Sequence, residues 1–168
     1  MQVHGALVQI QEVGVLLLGQ SGVGKSETAL ELVTRGHQLV ADDVVELDAV
    51  AGRLVGRAPQ TIRHYLEIRG LGILFVPELY GARSVLSESP IDLVCRLERD
   101  RPGLEYERVG LTRPSEEIAG VLLPVVRLPV RPATSLGVIV EAAARDHRMR
   151  TRGPSAAARL EAGLVGGS

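Results

Sequence analysis

The sequence contains a single lysine, Lys25, although it has 19 basic residues among 168 positions. One lysine cannot be both the lysine of a phosphate-binding loop and the strand lysine of a eukaryotic protein kinase. It also leaves no lysine for the Asn-Lys-x-Asp motif of guanine-specific GTPases or for a separate Schiff base. Any lysine-dependent chemistry of this chain must therefore use Lys25 in one role.

Cysteine, excess charge and long apolar runs are equally scarce. Cys95 is the only cysteine, which excludes an internal disulfide and a multi-cysteine metal site and predicts a buried structural thiol. The net charge of −1 does not indicate the positively charged surface that is expected of a dedicated nucleic-acid or anionic-membrane binder. No apolar run is longer than that of residues 15–18, and no basic-then-apolar segment follows Met1. We therefore expect no membrane span, no secretory signal and a cytoplasmic location.

The lone lysine lies in a complete phosphate-loop motif, G-x-x-x-x-G-K-[ST]. The motif residues are Gly19, Gln20, Ser21, Gly22, Val23, Gly24, Lys25 and Ser26. Residues 13–18 before it are typical of a short buried strand, and residues 27–33 after it have the apolar spacing of one helical face. In this order, backbone N–H groups and the positive helix end cradle phosphate, Lys25 bridges two phosphates and the Ser26 hydroxyl binds Mg²⁺. The sequence therefore predicts a magnesium nucleotide as ligand.

Two adjacent carboxylates follow the next apolar segment. Residues 38–41 predict a short strand that runs directly into Asp42 and Asp43. Because ligands of α/β sheets bind at the carboxyl ends of the strands, we expect the pair to face the phosphate loop across one crevice. Successive residues of a regular strand point to opposite sides, so only Asp43 is expected to reach the reacting group, while Asp42 is expected to reach Mg²⁺.

The rest of the chain predicts strands and one long helix. Residues 44–55 have the alternation of a hairpin, and residues 70–77 form a glycine-punctuated turn into a strand. Residues 91–97 predict a half-buried strand, and residues 122–126, which lie among prolines, an edge strand with an extended loop. Residues 136–148 predict a closing helix.

Four further runs resemble one bacterial family, that of HPr kinase/phosphorylase. They are residues 35–43 (RGHQLVADD), 66–73 (LEIRGLGI), 106–110 (YERVG) and 129–132 (PVRP). The resemblance extends over about residues 3–152. It implies an α/β fold: a P-loop nucleotide-binding core resembling phosphoenolpyruvate carboxykinase, with a mixed sheet and flanking helices. It also implies a kinase/phosphorylase catalytic domain over residues 1–152, which leaves residues 153–168 as a flexible or weakly helical tail.

The reaction implied by the resemblance is phosphorylation of a serine on HPr, the phosphocarrier protein of bacterial sugar uptake. ATP or pyrophosphate is the phosphoryl donor. The family also catalyses the reverse phosphorolysis of phosphoseryl-HPr, and it regulates carbon metabolism. The usual assembly is a homo-hexamer.

The resemblance also assigns roles to individual residues. It assigns catalytic roles to His4, Lys25, Asp43 and Arg108. Asp43 becomes the base, since a neutral hydroxyl that attacks phosphorus needs a proton acceptor within hydrogen-bond reach. Arg108 becomes the cation that neutralises the transferred phosphoryl group. The expected Mg²⁺ ligands are Ser26 and Glu67, which match the family, together with Asp42.

One segment departs from the family. Relatives commonly continue after Val-Arg-Pro with glycine, a basic residue and asparagine, whereas this chain has Ala133, Thr134 and Ser135. Without that cation, phosphorolysis is expected to be slow relative to phosphorylation, because phosphate must be held against its own hydration. Arg127 and Arg131 are the nearby cations considered as substitutes.

Two other functions stay open at this point. One is a small-molecule P-loop kinase, although the chain beyond residue 44 predicts strands and glycine-rich loops rather than the helices of a lid. The other is a nucleotide-binding regulatory module that transfers no phosphate. Such a module needs no base like Asp43.

Overall fold

The computed structural model describes residues 1–166, and within them the chain forms twelve strands and four α-helices. The strands are β1 (Gln2–His4), β2 (Ala6–Ile10), β3 (Val13–Gly19), β4 (Gln38–Ala41), β5 (Val44–Val50), β6 (Arg53–Arg57), β7 (Tyr65–Ile68), β8 (Gly72–Phe75), β9 (Glu88–Pro90), β10 (Leu93–Arg99), β11 (Ser115–Ile118) and β12 (Val121–Val130). The helices are α1 (Lys25–Thr34), α2 (Val76–Tyr80), α3 (Leu136–Arg150) and α4 (Ala156–Gly166). The end of the predicted tail, residues 167 and 168, lies outside the described residues.

A six-stranded mixed sheet carries the phosphate loop. Its strand order is β11-β12-β10-β3-β2-β4. Strand β10 is parallel to both β3 and β12, and β2 is antiparallel to both β3 and β4. Strands β3, β4, β10 and β12 therefore run in the same direction and end at one edge, which is the ligand-binding edge of such sheets.

The two faces of this sheet bury two separate cores. On β2 and β3, alternate residues belong to different cores because successive side chains point to opposite faces. Val8 and Val15 pack with residues of α1 and α3, whereas Leu7 and Leu16 pack with residues of β5 and β6. The latter two strands belong to a four-stranded sheet of order β1-β5-β6-β9. The result is the predicted α/β arrangement, a mixed sheet flanked by helices, with a second sheet on the other face.

Two strand predictions need correction. Residues 91–97 were predicted to be half-buried, but Leu93, Val94 and Cys95 of β10 are all fully buried because neighbouring strands and packed layers cover both faces. Burial raises the pKa of Cys95 to about 12, as expected for an inert structural thiol. Strand β12 is longer than predicted and lies second from the edge. Strand β11 pairs with β12 only over residues 121–124 of β12. Pro129 of β12 therefore has a paired strand, β10, on one side only, which suits a residue without an N–H group.

The hairpin and the closing helix are confirmed. Strands β5 and β6 pair antiparallel across Ala51 and Gly52, whose φ angles of 51° and 78° suit a tight hairpin turn. Helix α3 runs two residues beyond the predicted range, and Ser135 caps its N-terminus by accepting a hydrogen bond from Val138 N. No helix within residues 1–166 has the length and apolar character needed to cross a membrane.

Candidate functional site

The phosphate loop joins the end of β3 to the start of α1. Gly22 and Gly24 have φ angles of 81° and 112°, a left-handed backbone that glycine adopts without strain. Gly24 is also the N-cap of α1, and it provides no side-chain cap for the N–H groups of the first turn. Those N–H groups and the positive helix end are consequently available to bind an anion.

The single lysine is held over this loop. Lys25 Nζ donates to the carbonyl oxygens of Gly19, at 2.6 Å, and Gln20, at 3.0 Å. Burial lowers the pKa of Lys25, and the negative charges of Asp42 and Asp43 oppose that shift. The lysine therefore lies within electrostatic range of both carboxylates.

Asp42 connects the loop to strand β4. The Ser26 hydroxyl donates to the Asp42 carboxylate, with Oγ to Oδ1 and Oδ2 distances of 2.9 and 3.0 Å. Asp42 is only 6% exposed, and this burial raises the pKa of its carboxyl group. The Ser26 hydroxyl and the backbone N–H groups of Asp43 and Glu67 oppose that increase. Asp42 thus lies against the phosphate loop, at the end of strand β4.

Asp43 is held by an unusual backbone. Its φ is 69°, and Val44 N donates to Asp42 O at 2.8 Å, so Asp43 is the central residue of a three-residue turn. Gly5 N fixes the turn by donating to Asp43 O at 3.0 Å. The expectation of regular strand alternation for this pair is therefore wrong. A non-glycine residue with positive φ costs about 1–3 kcal/mol, and such residues concentrate at functional sites.

The donor set beside the loop fits Mg²⁺. Ser26 offers a hydroxyl oxygen and Asp42 a carboxylate, the hard oxygen ligands that Mg²⁺ prefers. Glu67 is exposed on β7, and its backbone N–H favours the ionised form of the Asp42 carboxylate, which lowers the pKa of that group. Within residues 1–166 no three acidic, histidine or cysteine side chains converge on one point. An ion held here would therefore take its other ligands from phosphate oxygens and water, as Mg²⁺ commonly does.

A cavity of about 540 Å³ lies on the other side of the loop, towards β10. Its lining includes residues of the loop, residues at the end of β10, and His4. Strand β1, which contains His4, pairs with β5, and His4 lies opposite Val44. His4 is therefore brought to the phosphate loop from a distant part of the chain. The lining residues are His4, Leu18, Gly19, Gln20, Val23, Arg96, Leu97, Glu98, Arg99 and Arg101.

Comparison with known proteins shows the family of this chain. The family model described as "HPr Serine kinase C-terminal domain" matches residues 1–164. The chain belongs to this family. The HPr kinase/phosphorylase of Caldicellulosiruptor bescii is 53% identical over 158 residues, which are 94% of this chain and 51% of that protein. The HPr kinase/phosphorylase of Caldanaerobacter subterraneus is 49% identical over 164 residues, 97% of this chain and 54% of that protein.

A solved structure of a family member has the same fold. The Hpr(Ser) kinase/phosphatase from Coxiella burnetii superposes with a TM-score of 0.84 at 32% identity, covering 91% of this chain and 93% of that one. The chain spans about half the length of the curated relatives that it matches.

Arg108, the catalytic arginine expected from the resemblance, is not in the cavity beside the phosphate loop. It is exposed in the long connection between β10 and β11 and lines a different cavity, of about 1450 Å³, above β12. Arg127 and Arg131, the nearby cations expected to hold phosphate in place of a basic residue at 134, are both paired with carboxylates. Arg127 donates to Glu98 at 2.8 Å, and Arg131 donates to Asp100 at 2.6 Å.

Residues 133–135, where a departure from the family is expected, form the entry to α3. Ala133 has a φ of 63°, and Thr134 N donates to Arg131 O at 3.3 Å. Ser135 caps α3 and also contacts the Glu31 carboxylate of α1. Ser135 therefore has a structural role that explains its presence, whereas no contact of Ala133 or Thr134 replaces the missing positive charge.

Arg99 was not identified from the sequence although it lies at the loop. A Cβ atom placed on Gly22 would be 3.6 Å from Arg99 Nη2. The two residues are far apart in sequence, and one arginine among 18 carries no spacing signal. The available clue is structural: Leu97 pairs with Gly19, so the end of β10 reaches the loop.

Proposed function

We propose that this chain transfers a phosphoryl group from ATP or pyrophosphate to the hydroxyl of a serine on HPr. The observation that carries the proposal is the hydrogen bond from Ser26 to Asp42, which joins the phosphate loop to the turn that holds Asp43. The proposal is supported by family membership and by relatives named HPr kinase/phosphorylase.

The phosphate loop binds and orients the donor. Backbone N–H groups around Gly22 and Gly24 and the N-terminus of α1 hold the phosphates without side-chain charge. Lys25 exchanges its bonds to loop carbonyls for donor phosphate oxygens and offsets the charge that moves during transfer. Ser26, Asp42 and Glu67 would hold Mg²⁺, which would supply positive charge against the donor phosphates. This arrangement fixes the phosphorus for in-line attack.

Asp43 removes the proton from the attacking serine. The seryl oxygen forms a bond to the terminal phosphorus, the bond from that phosphorus to the leaving oxygen breaks, and ADP or inorganic phosphate departs. The seryl proton passes to the Asp43 carboxylate, and in the reverse direction the same group returns it. We assign His4 to contact with the acceptor or the base, because it pairs opposite Val44 and lines the cavity beside the loop. Arg108 would act on the transferred group only after its loop moves towards the site.

The exposure of Asp43 favours a protein acceptor over a metabolite. Asp42 is buried, but the neighbouring Asp43 side chain is open to solvent, where a serine projecting from another protein can reach it. A small-molecule kinase needs to enclose its acceptor to exclude water. The cytoplasmic location and hexameric assembly are part of the same proposal, and sedimentation of the purified protein would measure its oligomeric state.

Incubation with labelled ATP, Mg²⁺ and either HPr or a panel of hydroxyl-bearing metabolites tests the proposal. We expect label on HPr and none on the metabolites. An HPr variant in which alanine replaces the acceptor serine is the matched control and should remain unlabelled. Label on a metabolite alone would establish the small-molecule alternative, and nucleotide binding without any transfer would establish the regulatory module.

A further inference from the structure

The phosphate loop lies between two differently charged sides. On the β4 side are the Asp42 and Asp43 carboxylates, which the proposed mechanism uses. On the β10 side the loop faces the end of that strand, where Arg99 Nη2 lies 3.6 Å from the position a Cβ atom on Gly22 would take. The proposed mechanism uses His4 from this second side and assigns no role to its arginines.

Arg99 and Arg101 differ from Arg96 because no carboxylate of the described part of the chain neutralises their charge. Arg96 is paired with Glu116, through an Nε to Oε2 hydrogen bond of 2.7 Å. The one carboxylate in the cavity lining, Glu98, is paired with Arg127. Within residues 1–166 no carboxylate lies within 4.0 Å of the guanidinium of Arg99 or Arg101, and both line the cavity. The cavity therefore carries uncompensated positive charge next to the loop.

Backbone geometry explains why the guanidinium can approach so closely. Gly22 has no side chain and a left-handed φ of 81°, and the Arg99 guanidinium lies on the side where a side chain would project. Strand β10 ends at Arg99 itself, and the pairing of Leu97 with Gly19 fixes that end beside the loop. A planar guanidinium with several N–H donors at this place matches the geometry of a phosphate group.

We propose that Arg99 is a phosphate ligand of this site, binding an oxyanion over Gly22 from the side opposite to the acidic pair. The inference rests on the proposed function, because it takes the loop to be a phosphate site. It supplies, from β10, the positive charge that residues 133–135 lack. The oxyanion is either the terminal phosphate of the donor or free inorganic phosphate acting in the reverse direction.

The test is calorimetric titration of the full chain with Mg²⁺ and two probes, pyrophosphate and inorganic phosphate. Arg99→Gln removes the charge and shortens the side chain, and Arg83→Gln is the matched control. Arg83 is also exposed, and its carbonyl accepts from Gln38 at the start of β4, the end of that strand away from the site. Lys25→Ala reports on the loop itself, and equal melting temperatures without ligand confirm that the arginine variants are folded.

We expect Arg99→Gln to lower the affinity for at least one probe by about 10- to 100-fold, the loss typical of a charge-assisted hydrogen bond. Arg83→Gln should bind both probes as the wild type does. A loss for pyrophosphate alone identifies the donor phosphate as the partner of Arg99, and a loss for inorganic phosphate alone identifies the nucleophile of the reverse reaction.

Two results would overturn the inference, and they are distinguishable. If Lys25→Ala abolishes binding while Arg99→Gln matches the wild type for both probes, the loop is a phosphate site and only the role of Arg99 is wrong. If the wild type binds neither probe, the proposed function fails and the inference fails with it.

Discussion

Replacement of Lys25 by alanine separates binding of the phosphate donor from folding. The ammonium group makes two hydrogen bonds, both to carbonyls of its own loop and neither in the buried core. Their loss should cost the ligand-free protein about 1 kcal/mol or less, because such bonds exchange with water. Alanine at the first residue of α1 is also a good helix former. The variant should therefore fold.

The effect on ligand-linked stability should be much larger. MgATP at about 100 times its dissociation constant stabilises the wild type by about 2.7 kcal/mol. For a chain of 168 residues this corresponds to an increase in Tm of about 8 °C, from a typical unfolding entropy of about 2.1 cal/mol/K per residue. We expect the alanine variant to show no such increase in Tm. Lys25→Arg keeps the charge but should show little of the increase, because a guanidinium differs in shape from an ammonium group.

Thermal denaturation with and without MgATP and magnesium pyrophosphate measures both effects. A full ligand-induced increase in Tm for the alanine variant would contradict the role of Lys25 as a phosphate ligand. The absence of any increase for the wild type with either donor would contradict donor binding at this loop.

Three further predictions concern other parts of the molecule. Hydrogen bonds from Arg35 and His37 lower the pKa of Glu141 to about 2. The ionised Glu141 therefore stabilises the fold fully above pH 4.5, its ordinary pKa, and this stabilisation is lost as the pH falls towards 2. Denaturant titrations should show that Glu141→Gln flattens the dependence of the unfolding free energy on pH in that window. Arg108→Ala should lower kcat by roughly 100-fold or more with a smaller change in ATP affinity, since it is expected to act on transition-state charge; equal losses in steady-state kinetics and ATP titration would make it a binding residue. Thr134→Arg should accelerate pyrophosphate release at limiting phosphate, and an unchanged reverse rate would show that the substitution in this chain is neutral.

The parts of the site that could be predicted from sequence are those encoded by local patterns. The phosphate loop has fixed spacing, and the Asp pair follows a short apolar strand, so the contact between Ser26 and Asp42 follows from where strands end in such sheets. Strand alternation, however, gave the wrong geometry for Asp43. A positive φ at a non-glycine residue depends on tertiary contacts, here the bond from Gly5 N, which a local pattern does not encode.

The parts that could not be predicted depend on long-range packing. The sequences of strands β1 and β2 carry no strong pattern that predicts a strand. Pairing of β1 with β5 and of β2 with β3 brings His4 to the site. Burial of β10 on both faces follows from its place in the sheet, which sequence does not reveal. Arg99 approaches Gly22 only because β10 and β3 are neighbours.

The most direct test of the central claim is single-turnover phosphoryl transfer to HPr by Asp43→Asn. Asparagine keeps the size and hydrogen-bonding capacity of the side chain but cannot accept the seryl proton. We expect ATP affinity to be retained and the transfer rate to fall by about 10²- to 10⁴-fold. Asp48→Asn, at an exposed carboxylate on β5 paired with Arg57, should transfer at the wild-type rate. Transfer by Asp43→Asn at the wild-type rate would contradict the assignment of Asp43 as the base.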